Sequence, residues 1–221
     1  MAQRPSTRSL KSMPDVAAVR RISQSIAMLD AILSPDEQLR YYLFNAAWAR
    51  GEQMASMDNG AGDEYFILFN AAGAAIKGFD HEAPMTPYRV DPERLWPGLY
   101  DGIPAAFASF LQEPAFSMDD ATFCIWRTHA DAEWRCGVED FADDPDPDGS
   151  GWMLCIFDGL PETYQSFAQE YYERDVLLAA VEQIYRHATL TDELVAALNP
   201  DLRAADVAND AEEIGYPGGR D

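Results

Sequence analysis

The chain is poor in the features from which function is usually read. Among its 221 residues no apolar run approaches the ~18 needed to cross a bilayer, so a membrane protein is not expected. The basic residues near the start are not followed by an apolar stretch, so a secretory leader is not expected either. Three cysteines, Cys124, Cys136 and Cys155, stand without a Cys-x-x-Cys spacing. They read as reduced thiols of a cytoplasmic protein, not as a disulfide framework. Gly-x-Ser-x-Gly, Gly-x-x-x-x-Gly-Lys-Ser/Thr, Gly-x-Gly-x-x-Gly and His-Glu-x-x-His are all absent. Without a nucleophile elbow, a phosphate loop, a dinucleotide fingerprint or a zinc-protease helix, the sequence argues against an enzyme, and no cofactor is predicted.

Positive charge is also scarce. Sixteen Lys and Arg face 38 Asp and Glu, a formal net charge of −22. Arg4, Arg8, Lys11, Arg20 and Arg21 against Asp15 give residues 1–22 a net +4, which leaves −26 on the remainder. So acidic a body repels phosphate backbones, and nucleic-acid binding is not expected. The same field attracts a basic protein partner or a cation. Apolar residues make up 48% of the chain and aromatics 12%, which is ample for a packed core.

What the sequence does contain is a repetition. Asp101-Gly-Ile-Pro-Ala-Ala-Phe-Ala-Ser-Phe-Leu-Gln-Glu113 returns as Asp158-Gly-Leu-Pro-Glu-Thr-Tyr-Gln-Ser-Phe-Ala-Gln-Glu170, with seven of 13 positions identical. The same offset aligns Asp63–Phe69 with Asp120–Trp126. Two tandem copies of a hairpin-plus-helix unit, 63–113 and 120–170, follow from this.

Around them, Val16, Val19, Ile22, Ile26, Leu29 and Leu33 form a helical stripe. Ser34-Pro-Asp-Glu37 reads as the start of a second helix, so 14–57 is expected to be a helical hairpin. Tyr65–Phe69 and Ala75–Phe79 read as a β-hairpin across Asn70–Gly73, and residues near 121–128 and 133–138 as its second copy. Gly151–Phe157 reads as a further strand, 161–188 as one long helix, and 191–198 as a last helix capped by Thr191. Residues 1–11 are expected to be a loose arm and 201–221 a mobile tail around one domain, 12–200. The fold class is α+β: an antiparallel sheet built from the two repeats about a pseudo-two-fold, covered by the N-terminal helical hairpin and the C-terminal helices.

Two stretches carry candidate chemistry. Asp143, Asp144, Asp146 and Asp148 form the densest acidic loop and are the expected rim of a surface for a basic partner. Asp144-x-Asp146-x-Asp148-Gly matches the first half of a calcium loop. Cys155 stands where the bidentate Glu belongs, so no firm metal site is assigned there, only a weakly held divalent cation. The alternative is an enzymatic, small-ligand or metal site between the repeats, using Asp80, His81, Glu82 and His129. Imidazole and carboxylate together suit general acid–base or metal chemistry. Alternation along a strand, however, puts Asp80 and Glu82 on one side and His81 on the other.

Leu160-Pro-Glu-Thr-Tyr164-Gln-Ser-Phe167 and Ile103-Pro-Ala-Ala-Phe107-Ala-Ser-Phe110 resemble the Leu-Pro-x-x-Tyr-x-x-Phe helix opening of the SUKH superfamily. That family's motif is usually single and close to the N-terminus, unlike the arrangement here. The resemblance implies an acidic α+β bacterial protein of the immunity type, one that neutralises a protein partner by binding it. It assigns no functional residue.

Overall fold

A computed structural model describes residues 4–217. Six strands stand in chain order in one antiparallel sheet, β1 (Tyr42–Ala49), β2 (Glu52–Asp58), β3 (Glu64–Asn70), β4 (Gly73–Phe79), β5 (Phe123–Thr128) and β6 (Arg135–Cys136). Helices accompany them, and the class is α+β. The chain forms two compact units, Met1–Val16 with Ser56–Asp158 and Ala17–Ala55 with Gly159–Asp221.

In the first unit the β3–β4 hairpin turns at Ala71-Ala72, and its register runs from Asn70↔Gly73 to Glu64↔Phe79. Gly73 is required there, since a Cβ would lie 2.0 Å from the Arg127 carbonyl oxygen. Strand β4 is buried along its whole length and β5 over Phe123–Trp126, which is why neither alternates in polarity. On one face Phe66 stacks on Phe116, with centroids 4.9 Å apart. On the other, Tyr65 meets Phe157 at 6.0 Å. Lys77 lies in the row Phe66–Lys77–Cys124 with its side chain wholly buried. Its ammonium is 2.7 Å from Glu64 Oε1 and sits over the rings of Phe66 and Phe79. Burial pushes its pKa down, and Glu64 opposes that.

The second unit is built on α1 (Val16–Leu33), where the apolar stripe is buried from Val19 to Leu33 and Val16 is half-buried. Around it lie α4 (Pro161–Tyr171), α5 (Leu178–Tyr185), α6 (Asp192–Leu198) and α7 (Ala208–Ile214). Thr191 caps α6 as expected, accepting from the Leu194 N–H. Asp30 is fully buried within α1. It accepts from the N–H groups of Tyr41 and Tyr42 at 2.9 and 2.8 Å and from the Tyr164 hydroxyl at 2.5 Å. Burial raises its pKa to about 6 despite these donors.

Several elements differ from the sequence reading. Residues 42–58 form the β1–β2 hairpin and not a second helix. Tyr42 and Phe44 are buried between half-exposed neighbours, and Gly51 turns the chain at φ +79°. The alanines here favour a helix only in isolation, and tertiary packing overrides that preference. Residues 150–158 are helical instead of extended, as α3 (Ser150–Met153) and a 3-10 turn. The expected helix 161–188 breaks into α4 and α5 at Glu173, whose φ is +50°. Gln165 and Gln169 bind the backbone of Val176 in the break.

The arm and the tail are both packed. Thr7 is buried against Asp148 and Ser150, and Val207, Ala211, Ile214 and Tyr216 are buried near the chain end. Residues 1–3 and 218–221 of those two predictions lie outside the described residues. The two repeats diverge. The first Asp-Gly-Ile-Pro opens a 3-10 turn and the five-residue α2 (Ala108–Gln112), the second the 11-residue α4.

Candidate functional site

Among the described residues, two places are candidates for a site. The first is the open end of the β3–β4 hairpin. Glu64 and Phe79 are its last paired residues, so Asp63 and Asp80 follow as the next rung. The turn Asn59–Gly62 delivers Asp63 there, with Asn59 Nδ2 donating to Asp63 Oδ2 at 2.6 Å. Past the strand, Asp80 Oδ1 accepts from the N–H groups of Glu82 and Ala83, which curls the chain and turns His81 back. His81 Nδ1 lies 2.6 Å from Asp63 Oδ1, and the His81 N–H donates to the same oxygen at 3.0 Å.

The electrostatics follow from this geometry. The hydrogen bond to Asp63 raises the His81 pKa, with Asp63, Glu82 and Asp80 adding to it by charge. Burial alone would raise Asp63, but the hydrogen bonds from His81 and Asn59 bring it down. The imidazole is therefore oriented by a carboxylate and 44% exposed, the arrangement of a general base or a metal ligand.

The alternation expected for Asp80, His81 and Glu82 does not apply, because the strand ends at Phe79. The turn that follows brings Asp80 and His81 together, while Glu82 points outward. It is 86% exposed and 3.9 Å from Nε2. The orienting carboxylate is Asp63, which sequence reasoning passes over. Counting the register outward from the Asn70–Gly73 turn pairs 63 with 80, so the signal is present. His129 is elsewhere. Its N–H donates to the Ala72 carbonyl at the turn end of the hairpin, so all of β4, ~20 Å of strand, separates the two histidines. The alternative site combining His81 with His129 is not formed.

The acidic loop is turned inward. Asp148 is buried, with Oδ1 accepting from the N–H and hydroxyl of Ser150 and Oδ2 from Thr7 Oγ1. Burial raises its pKa, and these donors hold the rise in check. Asp146 accepts from the N–H groups of Gly151 and Trp152, and Asp144 from that of Asp146. Asp146 and Asp148 thus satisfy the first backbone donors of α3, and among the described residues Asp144, Asp146 and Asp148 do not bring three ligand atoms together. Of the expected rim, Asp143 is exposed, Asp144 and Asp146 are half-buried, and Asp148 is not at the surface. The segment instead closes over the hairpin end. Trp152 Nε1 donates to Asp80 Oδ2 at 2.9 Å, and a Cβ on Gly149 would lie 2.4 Å from that oxygen.

The second place is a cleft of about 230 Å³ in the other unit. Phe44, Met54 and Ile214 are buried in its lining, and Glu37, Asp210 and Glu213 supply carboxylates. Arg40 is the cation among the lining residues. Its guanidinium is engaged by Asp210 at 2.7 Å and by the carbonyls of Ser34 and Pro35. Trp48 adds an aromatic surface. The sequence offers no sign of this cleft, because β1 reads as a helix.

Compared with protein-family models, with curated proteins and with solved structures, the chain matches none.

Proposed function

We propose that the protein is a non-enzymatic binding module that takes a basic side chain of a protein partner into the cleft between β1 and α7. The observation that carries this reading is the cleft's charge. Three carboxylates and one guanidinium leave it net negative, and that guanidinium is already bound to Asp210. An arriving arginine or lysine meets Glu37 and Glu213 at the rim and the faces of aromatic residues below, which suits a cation on an apolar stem. The excess of acid over the whole chain steers such a partner toward it. The acidic class and the Leu160–Phe167 motif support an immunity-like role, and the free thiols of Cys124, Cys136 and Cys155 support a cytoplasmic setting.

The test is binding of short peptides that present one arginine or lysine, read by fluorescence anisotropy at several salt concentrations. Basic peptides are expected to bind and their alanine counterparts not to. Glu37→Gln with Glu213→Gln is expected to weaken binding at least fivefold and flatten its salt dependence. Equal binding by this double variant removes the cleft from the account.

A further inference from the structure

We infer that Asp63, Asp80 and His81 form a binding site for a divalent transition-metal ion of the zinc, cobalt or manganese type. Each residue offers a ligand atom, and these atoms lie within 4.8 Å of one another. The site rests on the hairpin end and not on the cleft, so it stands or falls independently of the proposed binding function.

The topology brings two acids and an imidazole together at the open end of the hairpin. Two aspartates on the rung beyond Glu64↔Phe79 place like charges across from one another, which destabilises a strand pair. A cation between them removes that repulsion. His81 supplies part of it when protonated, and a metal ion supplies it in full. On metal binding, the proton that Nδ1 shares with Asp63 leaves the nitrogen, and the ion takes its place. One imidazole and two carboxylates form a mixed nitrogen–oxygen set. That set favours first-row transition ions over calcium or magnesium, which prefer oxygen alone.

The ligands are also held by neighbours, as ligands in metal sites generally are. Asn59 Nδ2 donates to the Asp63 oxygen that does not face the imidazole. The N–H groups of Glu82 and Ala83 donate to Asp80 Oδ1, and the indole of Trp152 to Oδ2. Asp63 is buried, Asp80 half-buried and His81 exposed, so the ion enters from the His81 side. Three protein ligands leave positions for water or for a substrate, and Glu82 is within side-chain reach of the imidazole.

The experiment is titration of the intact chain with zinc and with cobalt, followed by calorimetry and by visible absorption of the cobalt form. One ion per chain is expected in the micromolar range, with cobalt ligand-field bands and no thiolate charge-transfer band. Trp152 fluorescence should change on binding, and Trp152→Phe should remove that change. His81→Ala and Asp63→Asn are expected to weaken binding at least tenfold, while His129→Ala and His187→Ala leave it as it was. Asp80→Asn gives a separate readout where the Asp63 variant folds poorly. Saturating calcium should not displace the ion. Absence of a stoichiometric site, wild-type affinity in His81→Ala, or a thiolate band pointing to the cysteines would each overturn the assignment.

Discussion

Asp30 is a carboxylate sealed inside the second unit. Two backbone N–H groups and the Tyr164 hydroxyl hold it, which fastens the start of β1 and the first turns of α4 to the last turn of α1. The Tyr164 ring belongs to an aromatic group with Tyr42 and Phe167, so the Leu160–Phe167 segment has a packing role here. The pH consequence has a definite sign. A pKa of 3.8 in the unfolded chain and about 6 in the folded one means that the folded state holds the extra proton between those values. Asp30's contribution is therefore fully present below about pH 4 and lost as pH rises through 6, by on the order of 3 kcal/mol. Asp30→Asn keeps an acceptor for the two N–H groups and cannot titrate. The stability of the wild type relative to this variant, from urea denaturation at several pH values, should fall between pH 4 and pH 6. A constant difference would mean that Asp30 does not titrate in this range.

At the scale of elements, the segment from Asp146 to Met153 is a short helix start whose capping carboxylates come from the loop before it. Gly149, at φ +76°, makes the turn possible and leaves room for Asp80. Gly149→Ala forces a left-handed conformation on a residue with a Cβ and drives that atom into the Asp80 carboxylate. A loss of ~1–2 kcal/mol from the backbone alone is expected, with more from displacing Asp80, read as a lower denaturation midpoint. Unchanged stability would mean that the loop does not rest on Asp80.

The elements that sequence reasoning recovers are those whose signals are local: the stripe of α1, the turn at Gly73, the cap at Thr191. Those it misses depend on partners far away in the chain. Residues 42–58 carry helix-favouring alanines but pair as strands. The calcium-like spacing of Asp144, Asp146 and Asp148 is the spacing of carboxylates reaching successive N–H groups, and a cation loop and a capping loop look alike until those donors are placed. For the hairpin end, Asp80, His81 and Glu82 are legible as a cluster. Asp63 is not, because it lies 17 positions before Asp80 and only the strand register joins them.

Over the whole molecule, the net charge of −22 is spread so that much of the densest acidic stretch is spent on the fold. Acid content alone therefore does not locate the binding surface, and the cleft with its shaped apolar lining is a more specific feature than the loop. The chain's lysines are Lys11 and Lys77, and they differ as far as two side chains can. Lys11 is 83% exposed and Lys77 fully enclosed between β3 and β5. Amine-reactive reagents should consequently mark the native protein at Lys11 and leave Lys77 untouched until the sheet opens. Mass spectrometry of protein labelled briefly at increasing urea should show the Lys77 adduct rising with the unfolding transition. Adduct at Lys77 in native buffer would mean that the hairpin breathes. Should the ammonium stay shielded, one lysine serves as a handle for attaching a dye or a surface, and the other as an internal clock for unfolding.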